Sequence, residues 1–169
     1  MVKPLPDLCS VIRIQTWDSQ AVVPLPVERA LSITWPMETG TVASGRADVI
    51  CTGPTDWLVM TADPDAAPLL QRLDESFGGS AFRATDFTQA LALVEITGPD
   101  ARVLLAKGCA LDLHPSRFAP GCAARSRFAD MPVIVRCIRE STFHCIVESS
   151  YKDYLILWLA DAAAEFSSN

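Results

Sequence analysis

The sequence predicts an α+β fold, in which two strand-strand-helix units form a single domain with a mostly antiparallel sheet. Three observations support this prediction: short segments of alternating or continuous apolar residues, Gly-Pro and Gly-Gly turns between them, and only three stretches with helical spacing. The chain has 169 residues, half of them hydrophobic, and no low-complexity segment or long linker divides it. We therefore expect one domain overall, with a proline-rich segment over residues 1–44 and the main α+β region over residues 45–169.

Strands are predicted in the first half of the chain. Residues 11–17 alternate apolar and polar side chains, which is the period of a half-buried strand. Residues 48–51 and 57–61 form two further strands about a Gly-Pro turn, and the run WLVM indicates burial on both faces of its strand. Three prolines within residues 18–36 confine that region to loops, edges and short pieces, because proline removes a backbone donor.

Two helices are marked by the residues at their ends. The first begins near Ala67, contains large apolar residues at helical spacing, and ends at Gly78 and Gly79. The second is short. Pro99 suits its first position, and Gly108 is expected to adopt a left-handed conformation beyond its last turn.

The second half of the chain is expected to be rich in strands. Two strands are predicted within residues 80–98, and more within 121–150, with a hairpin turn near 139–142. A closing helix over residues 150–164 places Tyr154, Leu155, Trp158 and Leu159 on one face. The tripeptide TGP occurs at residues 52–54 and again at 97–99, which suggests an internal duplication.

Charge and hydropathy exclude several classes of partner. Twenty acidic and fourteen basic residues give a net charge of -6, so nucleic acid and anionic membrane surfaces would be repelled. The first ten residues contain two prolines and an aspartate, unlike the apolar region of a secretory signal. No apolar run approaches the roughly 20 residues of a membrane span. We expect a cytoplasmic protein without nucleic-acid or membrane partners.

The six cysteines are expected to be scattered free thiols, most of them buried. No CxxC pair is present and only two histidines accompany them, whereas zinc sites usually contain closely spaced ligand pairs. A free cysteine packs as a small apolar residue, and a cytosolic protein keeps it reduced. His144 and Cys145 lie in an apolar strand pattern, where a hydrogen-bonded histidine beside a core thiol is favoured over a metal ligand.

Cys109, in the segment KGCALDLHP, is the one candidate nucleophile. It follows the carboxyl end of a helix, where the partial negative charge disfavours a thiolate, although Lys107 acts in the opposite sense. In a helix ending at Gly108, Cys109 would make a hydrophobic contact with Leu104. A structural role is therefore favoured. The motifs GxSxG, HExxH, GxxxxGK[ST] and GxGxxG are all missing from the sequence, so no catalytic, cofactor-binding or metal-binding residue is predicted.

A surface near residues 112–127 is the candidate site for docking a partner. Two arginines alternate on one side of a predicted strand, and His114 precedes a proline, which favours an extended backbone and an exposed ring. Clustered cations on an acidic protein favour a complementary partner surface, although a solvated strand face is the alternative. The candidate interface residues are Asp112, His114, Arg117, Arg125 and Arg127. The aromatic residues Trp57, Tyr154 and Trp158 are expected in the core rather than around a cofactor.

Three segments carry a family resemblance. They resemble the gamma subunit of heterotetrameric sarcosine oxidase, and their sequences are TGPTDWLVM, ITGPDARVLLAKGCALDLHPSRFAPGCAARSRF and YLILWLADAA. The similarity covers roughly residues 45–163, its long middle segment is the specific part, and residues 1–44 match only loosely. The chain departs from the family at residues 122–126, where CAARS replaces a typical Cys-Ala-Gln-Thr motif.

The resemblance implies a non-catalytic subunit of a bacterial flavoenzyme complex. Such a complex oxidatively demethylates sarcosine to glycine, transfers the one-carbon unit to tetrahydrofolate and produces hydrogen peroxide. FAD, FMN, NAD, tetrahydrofolate and zinc are expected in partner subunits, namely larger alpha and beta subunits and a small zinc-binding delta subunit. The gamma chain is similar to a fragment of the folate-binding aminomethyltransferase fold. The departure at residues 122–126 leaves a related N-methyl amino acid open as substrate.

A stand-alone folate-binding protein is the alternative. Proteins of the same superfamily that maintain iron-sulfur enzymes carry the motif Lys-Gly-Cys-Tyr-x-Gly-Gln-Glu. This chain has Lys107, Gly108 and Cys109 and then continues as ALDLHP. Those proteins are also much longer, so the subunit interpretation is favoured.

Overall fold

The structure of the chain, a computed structural model, describes residues 2–4 and 10–167. The chain forms two compact units, here called the N-terminal unit (Asp7–Gln89) and the C-terminal unit (Met1–Pro6 with Ala90–Asn169). The boundary that the sequence suggested between residues 44 and 45 lies inside the N-terminal unit, at the end of a strand.

Both units combine helices with antiparallel strands, which confirms the predicted α+β class. In chain order the described elements are β1 Val2–Pro4, β2 Ser10–Thr16, α1 Leu25–Leu31, β3 Val42–Ser44, β4 Asp48–Gly53, β5 Asp56–Thr61, α2 Ala67–Phe77, β6 Phe82–Asp86, β7 Leu91–Thr97, α3 Ala101–Ala106, β8 Ala123–Phe128, β9 Met131–Arg139, β10 Thr142–Glu148 and α4 Lys152–Ala163. Short 3-10 turns, Ser149–Tyr151 and Ala164–Ser167, flank α4.

The N-terminal unit is an antiparallel sheet in the order β3-β4-β5-β2-β6, with α1 and α2 packed on one face. Ile12, Ile14 and Val59 of the sheet share a buried cluster with Leu31 of α1 and Leu73 of α2. The predicted burial of β5 on both faces is confirmed, since the two residues that alternate with this core-facing set, Leu58 and Met60, are also buried.

Trp57 is the centre of this core. Its side chain is only 1% exposed, and its ring lies 5.6 Å from Trp35 and 6.1 Å from Phe82, measured between centroids. Its indole nitrogen donates a 2.8 Å hydrogen bond to the carbonyl of Pro36. A buried Trp needs a partner for this N–H group, and the loop after α1 supplies it. The prediction that Trp57 belongs to the core is confirmed.

Helix α1 was not expected from the sequence. Its first turn contains Pro26, which is tolerated there because the first amides of a helix have no partner within it. The helix ends after seven residues at Ser32, which has a left-handed conformation with φ 57°. The prolines therefore limit this region to a short helix, which agrees with the expected short pieces.

The C-terminal unit is an antiparallel sheet in the order β1-β7-β10-β9-β8. Helices α3 and α4 contribute Leu105 and Leu155 to one buried cluster with Val135 and Phe143 of the sheet. The predicted hairpin at 139–142 is confirmed, since β9 ends at Arg139 and β10 begins at Thr142. Strand β1 was not predicted, and it pairs with β7 through only three residues.

The two units repeat one connectivity. Each runs strand, helix, three antiparallel strands and helix, and in each the first of these strands lies next to the last. The fifth strand is β6 in the N-terminal unit and β1 in the C-terminal unit. The structure thus contains the duplication that the repeated TGP suggested. The two tripeptides are not equivalent, however, because residues 52–54 lie between β4 and β5 whereas 97–99 lie between β7 and α3.

Two expectations about helix residues are wrong. Gly108 does not have a positive φ angle, and Tyr154 is 51% exposed although its helix neighbour Leu155 is fully buried. A Cβ atom on Gly108 would lie 2.8 Å from the Phe128 ring and 3.0 Å from that of Trp158. Glycine is needed at 108 for close packing and not for a left-handed turn.

Candidate docking surface

The segment around Cys109 is a packed helix end. The amide of Cys109 donates to the carbonyl of Leu105 at 2.9 Å, and Cys109 pairs with Phe128 in an isolated β-bridge. The Cys109 side chain is 6% exposed and belongs to the core of the C-terminal unit together with Leu104. These contacts support the structural role that the sequence favoured for Cys109.

Lys107 is engaged at the end of α4. Its ammonium group donates a 2.8 Å hydrogen bond to the carbonyl of Ala162, forms an ion pair with Glu165 and lies 4.6 Å from the centroid of the Phe166 ring. A cation at the carboxyl end of a helix stabilises the exposed carbonyls there. Lys107 therefore fastens α4 to the end of α3.

The described cysteines are free thiols, as predicted. Cys51, Cys109, Cys137 and Cys145 are buried and Cys122 is half-buried, whereas Cys9 lies outside the described residues. Burial raises the pKa of the thiols of Cys51, Cys137 and Cys145. These three thiols are held in the protonated, less nucleophilic form.

Arg102 holds the loop that carries three of the five candidate residues. Its guanidinium donates to the carbonyl of Glu140 at 3.0 Å, to that of Phe118 at 3.1 Å and to that of Leu113. It also lies 4.9 Å from the centroid of the Phe143 ring. One side chain thus joins α3, the β9–β10 hairpin and two points of the loop. Sequence reasoning missed this role because an arginine in a short helix gives no local signal for contacts with distant carbonyls.

The structure gathers Asp112, His114 and Arg117 into one exposed turn. The carboxylate of Asp112 accepts a 3.0 Å hydrogen bond from the amide of His114, and the carbonyl of His114 accepts one of 2.8 Å from the amide of Arg117. The Nδ1 atom of the His114 ring lies 2.7 Å from the Ser116 hydroxyl. All three predicted side chains are exposed, and Asp112 shapes the backbone of the turn.

Arg125 and Arg127 lie on β8, the edge strand of the C-terminal sheet. Both are exposed on the same side of the strand, as the alternation predicted. Arg127 donates a 3.0 Å hydrogen bond to the carbonyl of Asp130, and its 3.7 Å ion pair with the Asp130 carboxylate is open to solvent. An exposed pair of this kind contributes little to stability. Cations on an exposed edge strand discourage unspecific strand pairing, and they suit a partner surface of complementary charge.

Several large apolar side chains are exposed in addition to these charges. Trp17 is 74% exposed and Leu157 is 70% exposed. The others are Val22, Leu25, Met37, Val103, Tyr151 and Tyr154. Sequence reasoning missed these residues, since helical spacing placed Tyr154 on the buried face and the region of Trp17 gave no clear pattern. Single exposed apolar side chains are common on protein surfaces, and only a contiguous patch of them would mark an interface.

Within residues 2–4 and 10–167, no cluster of side chains that could form a catalytic or metal-binding site accompanies the exposed apolar residues. A groove of about 410 Å³ beside α1 is lined by Leu25, Glu28, Arg29, Ser32, Ile33 and Thr34, and the Glu28 carboxylate there accepts a hydrogen bond from the amide of Trp35. No group of three His, Cys, Asp or Glu residues in this part of the chain could hold a metal ion. The half-buried His144 ring lies 3.4 Å from the Glu95 carboxylate, as expected of a hydrogen-bonded histidine beside a core thiol. No helix in the same part is long and apolar enough to span a membrane.

Comparison with known proteins decides the family. The sequence profile of the sarcosine oxidase gamma subunit family matches residues 18–165. The chain belongs to the sarcosine oxidase gamma subunit family. The gamma subunit of sarcosine oxidase from Corynebacterium sp. (strain P-1) is 30% identical over 136 residues, which cover 79% of this chain and 66% of that subunit. The chain thus spans about two thirds of the length of this curated relative.

Solved structures agree with the predicted fold. The chain superposes with a TM-score of 0.91 on a heterotetrameric sarcosine oxidase from Corynebacterium sp. U-96, at 23% identity, covering all of this chain and 86% of the matched one. The glycine cleavage system aminomethyltransferase T from Bartonella henselae matches with a TM-score of 0.63 at 11% identity, over 94% of this chain and 44% of that one. The gamma-family chain therefore has the fold of part of an aminomethyltransferase, as the sequence suggested.

Proposed function

We propose that this chain is the non-catalytic gamma subunit of a heterotetrameric flavoenzyme. The complex would oxidatively demethylate sarcosine, or a related N-methyl amino acid, to the parent amino acid. It would transfer the one-carbon unit to tetrahydrofolate and release hydrogen peroxide. Family membership over residues 18–165 is the observation that carries the proposal.

The arrangement of side chains supports a role in assembly. Cys109 and Lys107 are the two potentially reactive residues that this chain shares with the motif of the folate-dependent superfamily. Cys109 is buried in the core, and Lys107 binds a carbonyl at the end of α4. The exposed residues are instead arginines on an edge strand and large apolar side chains. Apolar contact area with a few charged groups at its margin is typical of protein interfaces. The chain would therefore contribute stability and a docking surface.

The cofactors of the proposed complex belong to other subunits. FAD, FMN, NAD and tetrahydrofolate would be bound by larger alpha and beta subunits, and zinc by a small delta subunit. This division is carried over from the family that the chain belongs to.

The proposal is tested by purifying a tagged chain from its native cells. We expect a yellow complex with a flavin absorption spectrum, in which mass spectrometry identifies larger partner subunits. Addition of sarcosine should bleach the flavin without oxygen and yield peroxide with oxygen. Recovery of a colourless chain of 18.3 kDa without partners would contradict the proposal.

The location of the docking surface is tested separately by charge reversal. Arg125→Glu combined with Arg127→Glu should reduce recovery of the partners at least tenfold, because like charges at a complementary interface cost several kcal/mol. Arg72→Glu combined with Arg83→Glu is the matched control, since both arginines are exposed in the N-terminal unit. If both double variants assemble equally well, the β8 surface is not the docking site.

A further inference from the structure

Cys122 and Cys137 face each other across β8 and β9 through a glycine bulge. The register of these strands pairs Ala123 with Arg136, so Cys122 and Cys137 are the next pair. The amide of Cys137 donates to the carbonyl of Cys122 at 2.9 Å, and the amide of Gly121 donates to the carbonyl of Cys137 at 3.0 Å. Gly121 has φ 90°, the left-handed conformation of the first residue in a G1 bulge.

This backbone geometry suits a disulfide. Directly opposed residues in an antiparallel pair have Cα atoms about 4.5–5.5 Å apart, and disulfides span Cα separations of roughly 4.4–6.8 Å. Both side chains pack against the core of the C-terminal unit, so they point to the same side of the sheet. Cys122 is half-buried and accessible to a small oxidant, whereas Cys137 is fully buried beneath it.

Arg102 supplies a cation next to this pair. Its Nη2 atom lies 3.8 Å from the Cys137 Sγ atom, which in turn donates to the carbonyl of Arg139 at 3.2 Å. Burial raises the pKa of the Cys137 thiol, and the Arg102 guanidinium opposes that shift. A thiolate formed at Cys137 would therefore be stabilised by a charge that is already held in place by three backbone carbonyls.

The N-terminal unit contains the same bulge without the second thiol. Gly40 has φ 92°, its amide donates to the carbonyl of Cys51 at 2.9 Å, and the amide of Cys51 donates to the carbonyl of Thr41 at 3.0 Å. Cys51 also makes the same local bond as Cys137, from Sγ to the carbonyl two residues later. Thr41 thus occupies the position of Cys122. The fold itself does not require a cysteine there, so a second thiol in the C-terminal unit needs a separate explanation.

We propose that Cys122 and Cys137 form an oxidation-responsive thiol pair that closes to a disulfide in hydrogen peroxide. The Cys122 sulfur attacks one peroxide oxygen and the O–O bond breaks, which leaves a sulfenic acid, and the hydroxide released takes up the Cys122 thiol proton to form water. The Cys137 thiol then gives up its proton as its sulfur attacks the Cys122 sulfur, and the displaced hydroxide takes up that proton and leaves as water. Two thiols are oxidised and one peroxide is reduced to two waters. The choice of peroxide rests on the proposed function, whereas the thiol geometry does not.

The test uses the full chain, reduced and then treated with hydrogen peroxide. We expect peptide mass spectrometry to find a Cys122–Cys137 cross-link, lower in mass by two hydrogen atoms and reversed by dithiothreitol. The oxidised chain should melt higher by about 5–10 °C, because the cross-link restricts the unfolded chain. No cross-link, over-oxidation of Cys122 alone, or a link between Cys109 and Cys145 instead would overturn the proposal.

Matched variants separate this chemistry from general thiol oxidation. Cys122→Ser, at the half-buried position, should abolish the cross-link and the rise in melting temperature, whereas Cys51→Ala should leave both unchanged. Thr41→Cys in the Cys122→Ser background should form a new link to Cys51 if the bulge sets the geometry. Persistence of the original rise in Cys122→Ser would overturn the proposal. Sarcosine-dependent activity is not needed for any of these readouts, so failure here is distinguishable from failure of the proposed function.

Discussion

The two units follow the same chain path, but the interactions inside each unit differ. Trp57 of β5 lies between Cys51 and Ile14 in the N-terminal sheet, and Phe143 of β10 lies between Cys137 and Ile96 in the C-terminal sheet. The registers are the same, so Trp57 and Phe143 are equivalent positions. The comparison teaches that the repeated path depends on where buried side chains alternate and not on which side chains they are.

The difference lies in what surrounds these equivalent residues. Around Trp57 the N-terminal unit places aromatic rings, and Phe77 stacks on Phe82 at 5.2 Å. Around Phe143 the C-terminal unit places the Arg102 guanidinium, which also binds backbone carbonyls. Aromatic packing thus surrounds Trp57 in the N-terminal unit. In the C-terminal unit the equivalent residue contacts a cation that also fixes the loop carrying three of the five candidate docking residues.

The largest expected effect is truncation of the two equivalent aromatics. Trp57→Ala should lower the free energy of unfolding by about 4–5 kcal/mol, and Phe143→Ala by about 3–4 kcal/mol, because each leaves a cavity in a closed core. The Trp57→Ala substitution also removes the hydrogen bond from the indole nitrogen to the Pro36 carbonyl. Urea denaturation followed by circular dichroism measures both values. Trp17→Ala, at an exposed position, is the control and should change the free energy by less than about 0.5 kcal/mol.

Glycine substitutions at the close contacts should have the next largest effects. A Cβ atom on Gly45 would lie 2.5 Å from the carbonyl oxygen of Leu31 and 2.7 Å from that of Ser32, whereas Gly108 faces the edges of two rings. Rings can shift and a helix backbone cannot, so Gly45→Ala should cost about 3 kcal/mol and Gly108→Ala about 1–2 kcal/mol. Thermal unfolding measures the order, and a larger loss for Gly108→Ala would contradict this account of the contacts.

Loss of the Arg102 contacts should act mainly on one loop. Arg102→Met keeps the apolar stem but removes the hydrogen bonds to Leu113, Phe118 and Glu140, at a cost of about 2 kcal/mol. Hydrogen exchange should become faster in residues 111–118 and remain unchanged in the N-terminal unit. Equal acceleration in both units would indicate global destabilisation and would contradict the local role of Arg102.

The smallest effect is a change in pH dependence. Burial raises the pKa of the Cys145 thiol above the value of 9.0 for an unperturbed thiol. The folded state therefore keeps a proton that the unfolded state loses, so the contribution to stability is full below pH 9 and declines as the pH rises above it. Val59 occupies the equivalent position of the N-terminal unit, paired with Ile12 and Val49 as Cys145 is with Val94 and Val135.

Cys145→Val copies that equivalent residue into the C-terminal unit. Stability at pH 7 should change by less than about 1.5 kcal/mol, since the two side chains are similar in volume. The decline between pH 9 and pH 10.5, followed by chemical denaturation, should become shallower. A decline as steep as in the wild-type chain would show that Cys145 does not contribute to the alkaline loss of stability.

The sequence predicted those elements whose signal is local. Alternation marked β2 and the side of β8 that carries Arg125 and Arg127, and glycines marked the end of α2. Strand β1 was missed because three residues carry no period, and their pairing with β7 depends on residues far along the chain. Helix α1 was missed because prolines within and beside a short helix resemble a loop.

The errors at single residues have a common physical cause. Glycine permits both a positive φ and a close approach, and only the positions of Phe128 and Trp158 decide which use applies at Gly108. Helical spacing groups Tyr154 with Leu155, but the direction of the core decides that one is exposed and the other buried. The contacts of Arg102 depend in the same way on where a loop returns in space.

Tetrahydrofolate titration of the isolated chain and of the purified complex tests the central claim most directly, because it separates a docking subunit from a self-sufficient folate protein. Quenching of tryptophan fluorescence reports binding in the isolated chain, and ultrafiltration of the ligand reports it in the complex. We predict saturable binding by the complex and none by the isolated chain. Stoichiometric binding of tetrahydrofolate by the isolated chain would contradict the claim and return Cys109 to the candidate functional residues.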